Sequence, residues 1–269
     1  IINNQDYFEP RDALSHDWPK ILEKLGYYPI FISNFLSNIK SFLENIKIDG
    51  IILSGGDNIG DHPLRDNTEI ELIKFGIKQN IPIFGVCRGM QVLNNFFNGS
   101  IQKTNDKKHV NTSHSIKIND EEFRCVLKQK SVKVNSFHNN IIKKENLGKK
   151  LKIFAMNKSD ETIEGLFHEK YSIIGVMWHP ERSQNDFNKH LLKKFFDGRV
   201  LWELIKAIIL AAGEGTRLRP LPENKPKCLV NLFGKSLLEH QLKIFRECDI
   251  EDISLVKGFQ ENKINESNI

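Results

Sequence analysis

Ile81–Gln91 reads I-P-I-F-G-V-C-R-G-M-Q, and the fold turns on this stretch. Ile81 to Val86 is a short apolar run with β-branched residues, as in a strand buried inside a parallel sheet. From Met90 to Phe97 the apolar residues return at helical spacing. Gly85 and Gly89 flank Cys87, so strand, tight turn and helix form an elbow that thrusts the thiol into a cleft. Small neighbours are needed because Cβ atoms there would collide with the strand and the helix. The helix aims its first N–H groups at the sulfur, which is expected to lower the thiol pKa and favour the thiolate. A buried structural cysteine beside a helix start would read the same way.

Working outward, Asp12 to Leu25 carries apolar residues at spacings of three and four, with Pro19 marking a break or a start at Asp17, and Gly26 as a stop. Tyr28–Ile32 reads as a strand, Phe35–Ile46 as a helix and Gly50–Leu53 as a strand ending in Ser54-Gly55-Gly56-Asp57. Leu64–Gln79 is a helix leading into the elbow strand. This alternation predicts an α/β three-layer sandwich with a mostly parallel central sheet. Sites in such sheets gather at the carboxyl ends of the strands, where Gly55-Gly56 and Cys87 both fall. Ser115–Ile118, Ser131–Val134, Leu151–Asn157 and Ile163–Phe167 read as short strands of an antiparallel section. Tyr171–Met177 is a further apolar strand that ends in Trp178-His179-Pro180-Glu181-Arg182. Asn188–Phe196 closes as a helix, ended by Gly198.

Composition bounds the rest. The 269 residues are 39% hydrophobic and 27% charged, as in an ordinary globular protein, and are enough for one large domain or for one full domain and part of another. The net charge of +5 comes from scattered lysines, with no basic stripe interleaved with aromatics, so nucleic-acid binding is not expected. Four cysteines without a CxxC pair indicate neither a zinc site nor a disulfide framework. Cys125 and Cys248 read as packing residues. No apolar run is long enough to span a bilayer and no signal peptide is visible, so no membrane is expected and the cytoplasm is the expected location. Ile1, not Met, stands first, which reads as a processed, trimmed or fragmentary start.

Cys87, His179 and Glu181 are the three chemistries of thiol-based acyl transfer: nucleophile, proton carrier, and a carboxylate that orients and charges the imidazole. A His and a Glu two apart on an extended segment point the same way, and Pro180 between them forbids a helix. Taken alone, His179 would be one surface histidine among nine, and Gly55-Gly56 a plain turn. Together with the elbow, Gly-Gly supplies an oxyanion hole, for which the N–H groups of Gly56 and Arg88 are assigned. His109 and His114 lie in a lysine-rich loop and the strand after it. They are open to a metal role, but solvent-exposed or hydrogen-bonded imidazoles fit better, and no metal is expected.

Ser54-Gly55-Gly56, Gly85-Val86-Cys87-Arg88-Gly89-Met90-Gln91 and Trp178-His179-Pro180-Glu181 resemble the three signatures of class I glutamine amidotransferases, with the γ-glutamyl hydrolase-like group as the nearest branch. Asn135-Ser136-Phe137-His138 is similar to the segment that holds the γ-glutamyl α-amino and α-carboxylate groups in that family. The resemblance covers residues 1–198, within one domain of residues 1–200. It implies attack of Cys87 on a γ-carbonyl, a γ-glutamyl thioester, release of the amine, and hydrolysis to glutamate without a cofactor. It places Gly55, Gln91, Ser136 and Phe137 against the glutamyl moiety, with His138 shaping the pocket. The family opens with a strand before the segment matching Tyr7–Leu14, and only Ile1–Asn4 precedes it here. Either the start is missing or the sheet is short by one strand.

A second segment, 204–269, opens with the strand Lys206–Leu210 and the Gly-rich run Ala211–Leu218, followed by Lys225-Pro226-Lys227. N–H groups of such a loop can wrap a triphosphate while Arg217 and Lys227 neutralise its charge. Lys206–Gly258 resembles the opening of sugar-phosphate nucleotidyltransferases, helix Ser236–Glu247 included, and Phe259–Ile269 reads as a polar tail. By that resemblance Gly213, Gly215, Thr216, Arg217 and Lys227 are vestigial nucleotide contacts of an incomplete segment, and Mg2+ and a nucleoside triphosphate would be needed only if the domain were complete. Ile205 stands where that family's initiating Met would be, as in read-through between adjacent genes. A γ-glutamyl hydrolase beside a nucleotidyltransferase resembles the pair that makes capsule phosphoramidate. This implies γ-glutamyl-CDP-amidate as the small-molecule substrate, CDP-amidate and glutamate as products, and a nucleotidyltransferase as candidate partner. The alternatives are a γ-glutamyl-γ-aminobutyrate hydrolase, a glutaminase subunit delivering ammonia to a synthase, and a non-catalytic binding module.

Overall fold

A computed structural model describes residues 2–3, 10–104, 107–183, 185–198, 207–211, 225–247 and 253–264. The chain divides into two units, Ile1–Leu201 and Trp202–Ile269.

In the first unit, β1 (Ile2–Asn3) pairs antiparallel with β2 (Pro10–Arg11). Helix α1 (Asp17–Lys24) buries Trp18, Ile21 and Leu22. Its Pro19 is tolerated because first-turn N–H groups have no intrahelical acceptor. Gly26, at φ 84°, ends the helix as the spacing predicts. Helix α2 (Ile39–Glu44) is capped by Asn38, whose side chain accepts from the Ser41 N–H. Then come β3 (Ile51–Leu53), α3 (Pro63–Gln79), β4 (Ile83–Val86) and α4 (Arg88–Phe96). Beyond them lie β5 (Gln102–Lys103), β6 (Thr112–Ile118), α5 (Glu121–Leu127), β7 (Ser131–Ser136), β8 (Asn140–Ile141), β9 (Leu151–Asn157), β10 (Ile163–His168), β11 (Ile173–Val176) and α6 (Asp186–Phe196).

The main sheet has seven strands in the order β3-β4-β11-β10-β9-β6-β7. β3, β4 and β11 run parallel, and from β11 through β10, β9 and β6 to β7 every pairing is antiparallel. The parallel section is therefore three strands wide, and the antiparallel section grows from its β11 edge. β4 and β11 are buried along their whole length. One core face is built on Phe84, Val86, Phe154, Ile174, Trp178 and Phe195, the other on Ile51, Leu53, Ile73, Ile83, Leu93 and Ile173. No helix among the described residues is long and apolar enough to cross a membrane.

Tyr28–Ile32 is extended but forms no strand. Pro29 removes a backbone donor, no neighbour among the described residues offers a ladder, and Tyr28 is left 86% exposed. Among the described residues the sheet ends at β3, whose open side faces a cavity of about 760 Å³ lined by Trp18, Leu22, Ile30, Phe31, Leu53 and Leu72 among others. Cys125 is exposed on α5, not packed inside, because its helix turns Phe123 and Leu127 to the core. Cys248 lies outside the described residues.

In the second unit β12 (Ala207–Ala211) pairs parallel with β15 (Ile253–Lys257), and β13 (Asn231–Leu232) forms a hairpin with β14 (Lys235–Ser236). Helix α7 (Leu237–Glu247) packs Leu238 and Leu242 against Ile209, Ala211 and Ile264. Ile264 is buried, so Phe259–Ile269 is not simply a polar tail.

The elbow depends on close packing. A Cβ on Gly89 would lie 2.0 Å from the Leu53 carbonyl oxygen, and one on Gly85 2.7 Å from the Gly89 carbonyl carbon. A Cβ on Gly50 would meet only the Phe196 ring, which can turn aside. Gly89→Ala is expected to cost about 3 kcal/mol, above the range of a side-chain clash that can relax, and Gly50→Ala distinctly less. Urea unfolding of both variants checks this ordering.

Candidate active site

Val86 of β4 and Val176 of β11 are register partners, so the chain leaves the sheet side by side at Cys87 and at Met177–His179. The Cys87 N–H extends the ladder, donating to the Val176 carbonyl at 2.8 Å. Cys87 holds φ 51° and ψ −103°, a strained conformation for a residue with a side chain. It sits at the N-cap of α4, and the Arg88 N–H points to its sulfur.

The thiol departs from the sequence expectation. Burial pushes it up to about 12, with the Glu181 charge adding to the rise and the Arg88 N–H and the Arg182 charge opposing it. With the residue 6% exposed, lost hydration of a thiolate outweighs the helix terminus. At neutral pH the sulfur carries its proton.

His179 Nδ1 lies 2.7 Å from Glu181 Oε1, both side chains buried, which makes Nδ1 the donor and leaves Nε2 with its lone pair. His179 Nε2 is buried with no hydrogen-bond partner among the described residues. The ring packs on Gly55, where a Cβ would lie 2.6 Å from His179 Cε1. Asn135 fixes the backbone of His179 from both sides, accepting from its N–H at 2.8 Å and donating to its carbonyl at 2.8 Å. Phe137 stands edge-on to the His179 ring at 5.8 Å, with the Arg182 guanidinium 4.5 Å above it.

Gly56 has φ 151°, a region open to glycine. Arg65 Nη2 donates to the Ser54 carbonyl at 2.8 Å and to the Gly55 carbonyl at 3.0 Å. A trans peptide sets C=O and N–H on opposite sides, so this clamp turns the Gly56 N–H away from Arg65. Arg65 is held in turn by Glu69 at 2.9 Å, and Glu69 and Asp66 both accept from the buried Arg88 side chain. Sequence reasoning missed Arg65, Asp66 and Glu69. Their signal was present as charges three and four apart on one helix, a pattern that usually marks a solvated face.

The other expected contacts are arranged unevenly. Gln91 is buried, accepting from Asn140 Nδ2 at 3.1 Å. Ser136 is fully buried and its hydroxyl donates to the His109 carbonyl at 2.8 Å. His138 is buried beside His109 and Glu164. In the second unit Lys227 is exposed on a 3-10 turn, while Gly213, Gly215, Thr216 and Arg217 lie outside the described residues.

A cysteine on a strained strand-to-helix turn, with a His–Glu pair on the segment that follows the neighbouring strand, is the architecture of an amidotransferase-type α/β enzyme. The sequence pattern of class-I glutamine amidotransferases matches residues 12–198, and the chain belongs to that family. It is 31% identical to the gamma-glutamyl-CDP-amidate hydrolase of Campylobacter jejuni, over 73% of this chain and 94% of that one. A solved structure from Thermoplasma acidophilum, described as part of a GMP synthase, shares the fold at a TM-score of 0.57 and 22% identity, covering 69% of this chain and 88% of that one. Residues 206–268 match the nucleotidyl transferase family. A stretch of 55 residues is 53% identical to the choline-phosphate cytidylyltransferase of Streptococcus pneumoniae, 20% of this chain and 24% of that protein's length. The second unit is thus a short piece of such a domain.

A thiol raised by burial predicts that the free protein shows no thiolate step in ultraviolet absorbance below about pH 9, measured as the difference from Cys87→Ser. A step near neutrality would show the helix terminus prevailing over burial.

Proposed function

We propose that this protein hydrolyses a γ-glutamyl amide through a γ-glutamyl thioester on Cys87. The observation that carries the reading is the buried His179–Glu181 pair, whose Nε2 has no hydrogen-bond partner among the described residues. Cys87 Sγ attacks the γ-carbonyl carbon as His179 Nε2 takes the thiol proton, so no standing thiolate is required. The N–H groups of Gly56 and Arg88 receive the oxyanion, the former oriented by Arg65. The C–N bond breaks as His179 returns the proton to the leaving nitrogen. Water, deprotonated by His179, then opens the thioester to glutamate and free thiol. Glu181 holds the tautomer and balances the imidazolium in both halves.

For the amine side we propose γ-glutamyl-CDP-amidate, cleaved to CDP-amidate and glutamate for capsule phosphoramidate. Two likenesses support this: the hydrolase of that name, matched along nearly its whole length, and a cytidylyltransferase matched by the second unit. Arg182, next to the His–Glu pair and stacked on Phe137, supplies a cation for an anionic leaving group. A separate nucleotidyltransferase would supply the substrate.

Glutamate release from γ-glutamyl-CDP-amidate, glutamine and γ-glutamyl-γ-aminobutyrate tests the proposal. Selective cleavage of the nucleotide is expected. Cys87→Ala should abolish turnover and leave binding intact, and Glu181→Gln should lower kcat by about three to four orders of magnitude. Full activity in Cys87→Ala would overturn the mechanism. Preference for a small amide would overturn the substrate.

A further inference from the structure

The turn at 107–109, the start of β6, the segment after β7 and strand β10 bring His109, His114, His138 and Glu164 together, with Glu164 near enough for its charge to act on Cys87. One ligand atom each from His109, His138 and Glu164 lies within 4.8 Å of the others, and all three residues are buried. Glu164 is 0% exposed, and neither of its carboxylate oxygens has a hydrogen bond among the described residues. His114 Nε2 approaches Glu164 Oε1 at 3.2 Å, without the alignment of a hydrogen bond. His109 is thus buried and hydrogen-bonded to Asp160, the second of the two settings expected for it, and His114 lies beside Glu164 with little exposure.

Tautomers follow from the outer partners. His109 Nε2 is 2.7 Å from Asp160 Oδ2, an acceptor, so Nε2 carries the proton and Nδ1 faces inward with its lone pair. His138 Nδ1 is 2.8 Å from the Asn140 carbonyl, also an acceptor, so its inward Nε2 is bare. His109 Nδ1 and His138 Nε2 both lack a hydrogen-bond partner among the described residues. Two lone pairs and a carboxylate therefore converge as acceptors in a space that excludes water. Such a cluster is strongly unfavourable unless a positive charge joins it.

We propose that His109 Nδ1, His138 Nε2 and Glu164 bind a divalent transition-metal ion, zinc by the chemistry of the donors, with His114 as fourth ligand. Two imidazoles and a carboxylate form a recurrent zinc donor set, and bond lengths of about 2.0–2.2 Å need only a modest contraction of the cluster. The outer contacts are those of a metal site. Asp160 orients His109 and is itself fixed by the Thr162 N–H at 3.1 Å and hydroxyl at 2.8 Å. The Asn140 carbonyl orients His138. The ion is structural. The carbonyl of His109 accepts from the Ser136 hydroxyl and from the His138 N–H, so metal at His109 ties down the segment from which Asn135 holds His179.

The test begins with elemental analysis of the full chain purified without chelator, expecting about one zinc per chain. Chelator-stripped protein is then titrated with Co2+, expecting one equivalent taken up with the intense visible bands of a tetrahedral nitrogen–oxygen site. Asp160→Asn, at a half-buried position, should weaken Co2+ binding by about 10–100-fold, and Glu164→Gln should remove the bands. A metal-free protein that takes up no Co2+ would overturn the proposal. So would Co2+ bound equally well by wild type and by His109→Ala. These readouts do not depend on turnover, so the metal site and the proposed reaction can fail separately.

Discussion

Cys87 occupies a backbone conformation that costs of order 1–3 kcal/mol, and the surrounding packing leaves the chain no cheaper way through. Its N–H is held by the β11 ladder, and α4 begins at the next residue. Gly89 presses its Cα against the Leu53 carbonyl, which locks the helix onto the parallel strands. The strain is thus spread over three strands and a helix. In return the sulfur is presented at the carboxyl ends of those strands, against the segment that bears His179 and Glu181.

Around the thiol, charges act mostly by holding dipoles in place. Arg65, Glu69, Arg88 and Asp66 form a buried network whose outlet is two backbone carbonyls, at Ser54 and Gly55. Asn135 does the same for His179 with a neutral amide. The groups proposed to touch the reacting atoms are few, and each is positioned by a neighbour that is not. Burial that raises the thiol serves this design: a thiol that keeps its proton avoids storing a bare thiolate in a dry site, and charge develops only as the new bond forms.

The elbow was legible in the sequence because its demands are local: two glycines around a cysteine, an apolar run before and helical spacing after. Helix α3, strand β9 and Gly26 were equally plain, since periodicity and a stop signal lie within one element. Tyr28–Ile32 has the composition of a strand, but a strand needs a partner, and composition does not say whether one is present. The thiol pKa was misjudged because burial is set by residues far along the chain. Ser136 shows the same limit: its hydroxyl is engaged by His109, 27 positions earlier. The His–Glu cluster joins positions from 109 to 164 across several elements, and no spacing rule could have assembled it.

The open side of β3 bears on how the first unit fluctuates. β3 is only three residues long and, among the described residues, is hydrogen-bonded to β4 alone, and Ser54–Gly56 follows it directly. Fraying begins where a strand has one neighbour, so this edge belongs to the low-energy end of the opening events of the fold. Each opening would loosen the peptide that presents the Gly56 N–H, while the elbow, deep between β4 and β11, stays closed. Nucleophile and oxyanion donor therefore sit in regions of unequal local stability. The fraction of molecules with a complete site follows the weaker of the two, so temperature or denaturant can dismantle the site well before the fold unfolds.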